Sequence, residues 1–393
     1  MIKKQFKDLQ LSSLGFGAMR LTGKSSGWGG PIHESAKAMI DYSMEHGINF
    51  YDTAYFYHDG ESERFLGKEL AGYPRDSWYL SSKFPGNLMS VKDGKLEVSG
   101  KSFSKPVDIF DLQIDRCNVN YFDFYMLHNV SESTFDTYTD DNLGIIDCLL
   151  EQKAKGYIRH LGFSTHGRAE TIDRFMRYLK QRNCNDFEFV LMQVNYLDWT
   201  LQNAEKKHAV ATEHGLSVFV MEPLRGGKLA GLGKEADTLF KSARPNDSHA
   251  AWAFRYLQML DNTPVIVSGM STFDQLKENV ELFKKHDPLS KEDAAILQKA
   301  KETITELVPC TTCGYCVSSC PVNLDIPTLM TMYNEAGYEM AWFLSSAIKS
   351  LKEHEKPGAC TSCGACSPLC PQNIDIPKAM EEFNEIIVRE LKK

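Results

Sequence analysis

Long apolar runs and an excess of basic charge are both missing from this 393-residue chain. No apolar stretch follows the basic start MIKKQFKDLQLSS, as the core of a signal peptide would, and no run is long enough to span a bilayer. Lysine and arginine number 44 against 52 acidic residues, and this net charge of -8 argues against nucleic acid or anionic lipid as a partner. We therefore expect a cytoplasmic protein without a membrane span and without a nucleic-acid partner.

Signs of disorder are also lacking, because 42% hydrophobic and 24% charged residues are typical of a globular protein. A second domain is expected at this length, since single hydrophobic cores stop growing near roughly 250 to 300 residues. The composition changes after SKEDAAILQKAKETITEL (290 to 307), where a cysteine-rich region begins. We predict one domain over residues 1 to 306 and another over residues 307 to 393.

Eight short apolar runs alternate with longer amphipathic segments in the first domain. The runs are SSLGFGAM (12 to 19), GINFYDTA (47 to 54), WYLSSKF (78 to 84), FDFYMLH (122 to 128), YIRHLGFST (157 to 165), FEFVLMQVNY (187 to 196), SVFVMEPL (217 to 224) and PVIVSGM (264 to 270). This α/β alternation predicts a (β/α)8 TIM barrel with its active site at the carboxyl ends of the strands. An open doubly wound sheet is the alternative, but no G-x-G-x-x-G turn follows the first run.

Eight of the 11 cysteines lie in two copies of one pattern, C-x2-C-x2-C-x3-C-P. The copies are CTTCGYCVSSCPVNLDIP (310 to 327) and CTSCGACSPLCPQNIDIP (360 to 377). Cysteines at such short spacings favour metal binding in a reducing compartment, although structural zinc and a pair of disulfides are alternatives. Helical apolar spacing between the copies and after the second predicts a mostly α-helical domain.

Both copies resemble the bacterial ferredoxin pattern, in which the fourth cysteine ligates the other cluster. The long link makes the region similar to α-helical dicluster ferredoxin domains. This resemblance implies two [4Fe–4S] clusters with crossed ligands: Cys310, Cys313, Cys316 and Cys370 for one cluster, and Cys360, Cys363, Cys366 and Cys320 for the other.

A second resemblance begins at the end of the second strand candidate, in NFYDTAYFYHDGESERFLGKEL (49 to 70). The pattern FYDTAxxY…GxSExxLGxxL resembles the aldo-keto reductase signature, and the match continues through residue 283. It implies a catalytic tetrad of Asp52, Tyr57, Lys83 and His128. A carbonyl that receives hydride needs a proton on its oxygen, and Tyr57 is the natural donor.

In this interpretation Lys83 lowers the pKa of Tyr57 by favouring the phenolate. Asp52 holds the lysine in place, and His128 orients the carbonyl. Taken singly, these residues could equally be a turn acceptor, a half-buried aromatic, a solvated lysine and a core histidine.

The same resemblance implies positions for a nicotinamide cofactor. Ser164, Gln193 and Asn195 match the carboxamide-binding positions, and the loop PLRGGK (223 to 228) with Arg225 matches the pyrophosphate site. The segment SGMSTFDQLKEN (268 to 279) resembles the adenosine end, with these candidate contacts: Gly269, Ser271, Gln275, Glu278 and Asn279. Ordinary loop and helix-capping roles are the alternative.

Two departures from the family leave the choice between NADP(H) and NAD(H) open. Gly269 and Gln275 stand where many members place Lys and Arg around the 2′-phosphate. Met221 stands where many members stack an aromatic ring on the nicotinamide.

The sequence thus predicts an NAD(P)-dependent oxidoreductase of aldo-keto reductase type that acts on a small carbonyl or alcohol and carries two [4Fe–4S] clusters for electron transfer. A redox partner protein is expected to dock at the ferredoxin domain. One alternative is a nicotinamide-binding redox sensor or electron-docking module with little turnover, and another is that the clusters only brace the tail. The loop around Trp28 and the insertion at 85 to 104 are predicted to shape the substrate pocket.

Overall fold

The computed structural model describes residues 1–23, 32, 34–304, 308, 310, 314, 316, 317, 319–338, 342–370, 372 and 374–391. The predicted pocket loop with Trp28, the ligand Cys313 and the domain boundary at 306 and 307 lie outside these residues. The strands are β1 Lys3–Phe6, β2 Leu9–Ser12, β3 Leu14–Gly17, β4 Phe50–Asp52, β5 Tyr79–Phe84, β6 Met89–Lys92, β7 Lys95–Val98, β8 Lys101–Phe103, β9 Phe122–Leu127, β10 Ile158–Thr165, β11 Phe187–Gln193, β12 Ser217–Met221 and β13 Ile266–Gly269.

The helices lie between and after these strands. They are α1 Ser35–Glu45, α2 Glu61–Leu70, α3 Pro106–Cys117, α4 Phe135–Thr139, α5 Ile145–Ala154, α6 Ala169–Gln181, α7 Asp198–Leu201, α8 Ala204–Glu213, α9 Lys234–Ala243, α10 His249–Gln258, α11 Phe273–Leu282, α12 Lys291–Ile304, α13 Ile326–Tyr338, α14 Trp342–Ser350 and α15 Ile376–Leu391. None of these helices is long and apolar enough to cross a membrane.

Eight of the strands close into a parallel barrel in the order β3-β4-β5-β9-β10-β11-β12-β13. Each of the eight predicted runs contains one of them, so the barrel prediction is confirmed. Because neighbouring strands are parallel, their carboxyl ends meet at one end of the barrel. The residues that follow Gly17, Asp52, Leu127 and Thr165 therefore lie around one opening.

The opposite end of the barrel is closed by the hairpin of β1 and β2, which the sequence patterns did not reveal. Phe6 is buried in it, and its ring centroid lies 5.4 Å from that of Phe124 and 5.3 Å from that of Phe219. Phe189 and Phe50 belong to the same apolar cluster. Aromatic side chains thus fill the amino-terminal end of the barrel.

The insertion at 85 to 104 folds into a small antiparallel sheet of β6, β7 and β8. Its two turns, Asp93-Gly94 and Ser99-Gly100, have positive φ at both central residues, as type I′ hairpin turns require. Leu96 and Val98 on β7 are buried against the barrel core.

The cysteine-rich region folds around α13, α14 and α15, which confirms the mostly helical prediction. Leu329 and Met330 on α13 pack in one apolar cluster with Phe383 and Ile387 on α15. The described cysteines of the two repeat copies lie in the short loops that precede α13 and α15.

Candidate functional site

The structure brings the four predicted tetrad residues together at the carboxyl ends of three neighbouring strands. The Nζ atom of Lys83 lies 2.8 and 2.7 Å from the two carboxylate oxygens of Asp52, and 2.6 Å from the carbonyl oxygen of Thr53. The same Nζ atom is 4.8 Å from the ring centroid of Tyr57. The rings of Tyr57 and His128 have centroids 6.2 Å apart and are nearly perpendicular.

The pKa of Tyr57 differs from the prediction. Burial raises the pKa of Tyr57 well above its ordinary value, and the nearby carboxylates of Asp52 and Glu222 raise it further. The predicted lowering of this pKa by Lys83 is therefore wrong for the structure. The ammonium of Lys83 is already paired with Asp52, and desolvation of the phenol dominates.

His128 is a neutral imidazole in this environment. Burial lowers its pKa well below the ordinary value, and the positive charge of Lys83 acts in the same direction. Its ring stacks on Phe56 with centroids 4.9 Å apart, and its Nδ1 atom has no hydrogen-bond partner among the described residues. Such a ring can offer a hydrogen bond to a ligand without adding a positive charge.

A buried network of hydrogen-bonded polar side chains lies next to the tetrad, between β5, α2 and α3. The carboxylate of Glu63 accepts hydrogen bonds from Ser82 Oγ at 2.7 Å, from Gln113 Nε2 at 2.6 Å and from Arg116 at 3.1 Å. The same Gln113 amide donates to the carbonyl oxygen of Lys83. Glu63 belongs to the GxSE part of the signature, and it fixes β5 relative to α2 and α3.

The predicted carboxamide-binding residues lie at the ends of β10 and β11. The hydroxyl of Ser164 accepts a hydrogen bond from the Asn129 N–H at 2.9 Å, and its own proton has no acceptor among the described residues. Gln193 Nε2 donates to Asp198 at 2.7 Å, and the Asn195 amide donates to the same carboxylate. Asp198 thus organises this edge, although nothing in its sequence context singled it out.

The guanidinium of Arg225 contacts carboxylates of the protein itself. Its side chain is buried, forms an ion pair with Asp198 and lies 3.6 Å from Glu335 of α13. The positive charge therefore already has two carboxylate partners within the protein, and the assignment of Arg225 to the pyrophosphate stays a prediction. Gly226 and Gly227 adopt positive φ, and their N–H groups donate to the Glu222 carboxylate and to the carbonyl oxygen of Leu224. An anion bound at the Gly226 N–H would therefore take the place of the Glu222 carboxylate.

The predicted adenosine segment forms the start of α11. The Oε1 atom of Gln275 accepts from the N–H groups of Ser271 and Thr272, so Gln275 also caps the helix. Asn279 donates to Ser268 at 3.2 Å, and Glu278 accepts from Ser248. Gly269 lies at the end of β13, where an added Cβ would meet the side chain of Arg20 at 3.1 Å.

Arg20 is a residue of this groove that the sequence did not reveal. It pairs with Glu222 at 3.4 Å, its carbonyl oxygen accepts from Ser271 Oγ at 2.8 Å, and its side chain lies beside Gly226 and Gly269. Its position just past a barrel strand was the available signal. It places a cation between the two loops expected to hold a dinucleotide.

The seven repeat cysteines that the structure describes line two separate cavities, and each cavity combines both copies of the repeat. Cys320 lies with Cys360, Cys363 and Cys366 around one cavity. Cys370 lies with Cys310 and Cys316 around the other. In the described part of the chain, no three Cys, His, Asp or Glu side chains are grouped closely enough to hold a single metal ion.

Comparisons with known proteins agree with this geometry. The family model described as "Aldo/keto reductase family" matches residues 13–302, and the model described as "4Fe-4S dicluster domain" matches residues 306–374. The chain is 26% identical over 233 residues to "Probable aldo-keto reductase 1" of Glycine max, which covers 59% of this chain and 61% of that protein. It is 27% identical over 236 residues to the "NADH-specific methylglyoxal reductase" of Escherichia coli, covering 57% of this chain and 67% of that protein.

Among solved structures, the holo form of the aldo-keto reductase AKR11C1 from Bacillus halodurans superposes with a TM-score of 0.59 and 27% identity. The superposition covers 76% of this chain and 96% of that one. Members of this family use nicotinamide cofactors, and the dicluster match indicates 4Fe–4S chemistry at the carboxyl end. The chain therefore belongs to the aldo/keto reductase family of oxidoreductases and carries a 4Fe-4S dicluster domain behind its barrel.

Proposed function

We propose that the barrel is an NAD(P)-dependent oxidoreductase that interconverts a small carbonyl compound and its alcohol. The convergence of Asp52, Tyr57, Lys83 and His128 at the barrel opening carries this proposal. The relatives support the class of reaction, and one of them is named as a methylglyoxal reductase. The chain spans only 61% of the length of the soybean relative, so the substrate of this chain is left to experiment.

The roles of the four residues follow from their environments. A bound nicotinamide supplies or accepts the hydride at the carbonyl carbon. Tyr57 holds the proton for the carbonyl oxygen, and burial keeps this phenol protonated until the oxygen becomes basic. Neutral His128 orients the carbonyl, while Asp52 fixes the position of the Lys83 ammonium beside the tyrosine ring.

The cofactor is proposed to lie across the ends of β10 to β13. Ser164, Gln193 and Asn195 suit the carboxamide, because a hydroxyl proton and amide groups meet there. The pyrophosphate is proposed at the loop from 225 to 228, where it would replace the Glu222 carboxylate as the partner of the Gly226 N–H and of the Arg20 side chain. Gly269, Ser271, Gln275, Glu278 and Asn279 are proposed at the adenosine end. Neither Gly269 nor Gln275 carries a positive charge, so NADH and NADPH remain to be compared as cofactors.

The test is the steady-state reduction of a panel of aldehydes and ketones by NADH or NADPH. Tyr57→Phe is expected to lower kcat by about 100-fold or more while the protein still binds the nucleotide. Tyr55→Phe is the matched control, because it removes a phenolic hydroxyl two positions away, and it should retain most of the activity. Full activity of Tyr57→Phe would contradict the proposal. Tight nucleotide binding by the parent protein with almost no turnover would instead indicate a redox sensor.

For the tail, at residues 307 to 393, we propose two [4Fe–4S] clusters with crossed ligands. Their ligands would be Cys310, Cys313, Cys316 and Cys370 for one cluster and Cys360, Cys363, Cys366 and Cys320 for the other. The grouping of thiols around the two cavities supports this assignment for the described cysteines. Such clusters supply one-electron transfer, and a redox partner protein is proposed to dock on the tail.

The two halves are tested together by adding NADH or NADPH to the anaerobic protein. Electron paramagnetic resonance then records whether the clusters become reduced. Reduction by the nucleotide is the expected result if the barrel and the tail exchange electrons. Clusters that stay oxidised, together with carbonyl reduction unaffected by chemical reduction of the clusters, would mean that they only brace the tail.

A further inference from the structure

A cavity of about 300 Å³ lies where the barrel meets the helices of the tail. Its barrel wall includes His166, just after β10, and Lys207 in the first turn of α8. Its tail wall includes Met332 on α13 and Phe343 on α14. A ligand in this space would therefore contact both parts of the chain. None of the tetrad residues lines this cavity.

Lys207 is the unusual residue of the cavity. Its side chain faces the cavity although the residue is only 4% exposed. Among the residues that the structure describes, it makes no side-chain hydrogen bond and no ion pair. Burial lowers its pKa, and the carboxylates of Glu335, Glu132 and Glu170 favour its charged form only from a distance. A buried ammonium without a partner is costly unless a ligand supplies the missing anion.

The other charges around the cavity are already satisfied. The lining carboxylates are held by the following partners: Glu132 by Arg168 at 3.2 Å, Glu170 by Lys206, Glu335 by Gln202 at 2.6 Å and by Arg225 at 3.6 Å, and Asp325 by the Thr328 N–H at 3.3 Å. Burial lowers the pKa of His166 to about 3, so this ring is neutral. Among the described lining residues, Lys207 is thus the charged group with neither a hydrogen-bond nor an ion-pair partner. The lining as a whole carries no excess of positive charge, because Asp325 is held by a neutral donor and Glu335 shares Arg225 with Asp198.

The rest of the wall is apolar on its tail side. The ring of Phe343 stacks on His166 with centroids 4.7 Å apart and an angle of 9° between the planes. Met332, Leu344 and Ala347 complete this surface. An ammonium without a direct partner, beside an apolar wall, fits a molecule with one negative end and an apolar body.

We propose that this cavity binds an organic carboxylate, with Lys207 as the ion-pair partner and the body of the ligand against Phe343 and Met332. The site is separate from the tetrad, and the proposal does not depend on the proposed reductase activity. Because its two walls belong to the barrel and to the tail, the ligand strengthens the packing of one against the other.

The experiment is isothermal titration of the full-length anaerobic protein with benzoate, and with benzamide as the neutral analogue. Benzoate is expected to bind saturably, and benzamide more weakly. Lys207→Met is expected to lower the affinity for benzoate by about 10-fold or more, because it removes one partner of a buried charge pair. Lys180→Met is the control, since Lys180 is an exposed lysine of α6 that does not line the cavity, and it should bind benzoate like the parent.

A second variant tests the proposal independently, in case Lys207→Met does not fold. Thr331→Phe fills the cavity from α13 without changing any charge, and it should abolish binding of benzoate while thermal unfolding stays cooperative. Equal binding of benzoate by the parent and by Lys207→Met would overturn the proposal. Absence of saturable binding for both benzoate and hexanoate at millimolar concentrations would overturn it as well.

Steady-state kinetics with the same proteins distinguishes a carboxylate that is part of a substrate from one that is a separate ligand. Benzoate that competes with the aldehyde in steady-state assays identifies the carboxylate as part of a substrate. Benzoate that binds without competing identifies a separate ligand. Either result keeps Lys207 as its partner, and the titration itself stays valid if the barrel proves to have no reductase activity.

Discussion

A buried phenol keeps its proton to a higher pH than a phenol in water, because the protein interior solvates the phenolate poorly. Tyr57 is such a group, and the carboxylates of Asp52 and Glu222 reinforce the effect. Lys83 cannot reverse it while its own charge is balanced by Asp52. At the scale of single residues, the phenol of Tyr57 therefore stays protonated and is expected to transfer its proton only to a strongly basic oxygen.

This environment predicts the pH dependence of carbonyl reduction. The acid form of Tyr57 is the active form, and it is lost only when the pH rises through its pKa. Because this pKa lies well above the ordinary value of 10.0, kcat/KM for reduction should not fall up to about pH 10 through ionisation of Tyr57. The measurement is kcat/KM against pH with a neutral aldehyde. A loss of activity centred near pH 7 to 8 that Tyr57→Phe abolishes would contradict the raised pKa.

Residue identity was predictable where a sequence pattern and a strand end coincide, as for Asp52 and Lys83. It was not predictable for Asp198 or Lys207. Asp198 acquires its importance only when Gln193 and Arg225 approach it from two different loops. Lys207 looks like any surface lysine of an amphipathic helix until the tail buries it.

At the scale of elements, the alternation of apolar runs and amphipathic segments predicts all eight barrel strands, since strands buried on both faces are continuously apolar. The same rule misses β1 and β2, because Lys3, Lys4 and Gln5 surround the single buried Phe6 in a polar run. It also misses β6 to β8, although Asp93-Gly94 was a usable turn signal. Short strands with mostly exposed side chains carry little apolar pattern.

Close helix packing gives a prediction for the glycine of the LGxxL motif. An ideal Cβ on Gly67 would lie 2.3 Å from the carbonyl oxygen of Cys117, so α2 approaches the end of α3 too closely for a side chain. Gly67→Ala should lower the free energy of unfolding by about 1 to 3 kcal/mol, as overpacking does, and disturb the nearby Glu63 network.

Urea unfolding measures this change, and Gly72→Ala is the control. A Cβ on Gly72 would meet only the carbonyl oxygen of Glu69 at an ordinary 3.6 Å. Equal stability of Gly67→Ala and Gly72→Ala would show that the two helices can separate without cost.

At the scale of the whole molecule, the crossed arrangement of cysteines ties the two repeat copies into one unit. Paired substitutions test it. Cys310→Ser with Cys370→Ser should remove ligands of the same cluster and leave the iron and sulfide of one cluster. Cys360→Ser with Cys370→Ser should damage both clusters. Iron and acid-labile sulfide analysis of anaerobic protein gives the answer, and the opposite ranking of the two double variants would indicate ligands that are not crossed.

The hairpin at the start of the chain has a consequence for the whole barrel. With Phe6 packed among Phe124 and Phe219, the amino-terminal end of the barrel is filled. At the other end, Gln202 bonds to Glu335, so the tail stands beside the remaining opening. The proposed cofactor, substrate and product would then share one entrance, and the molecule that enters last would stand between the first and the solvent. An ordered sequence of binding and release is therefore expected for the proposed reaction.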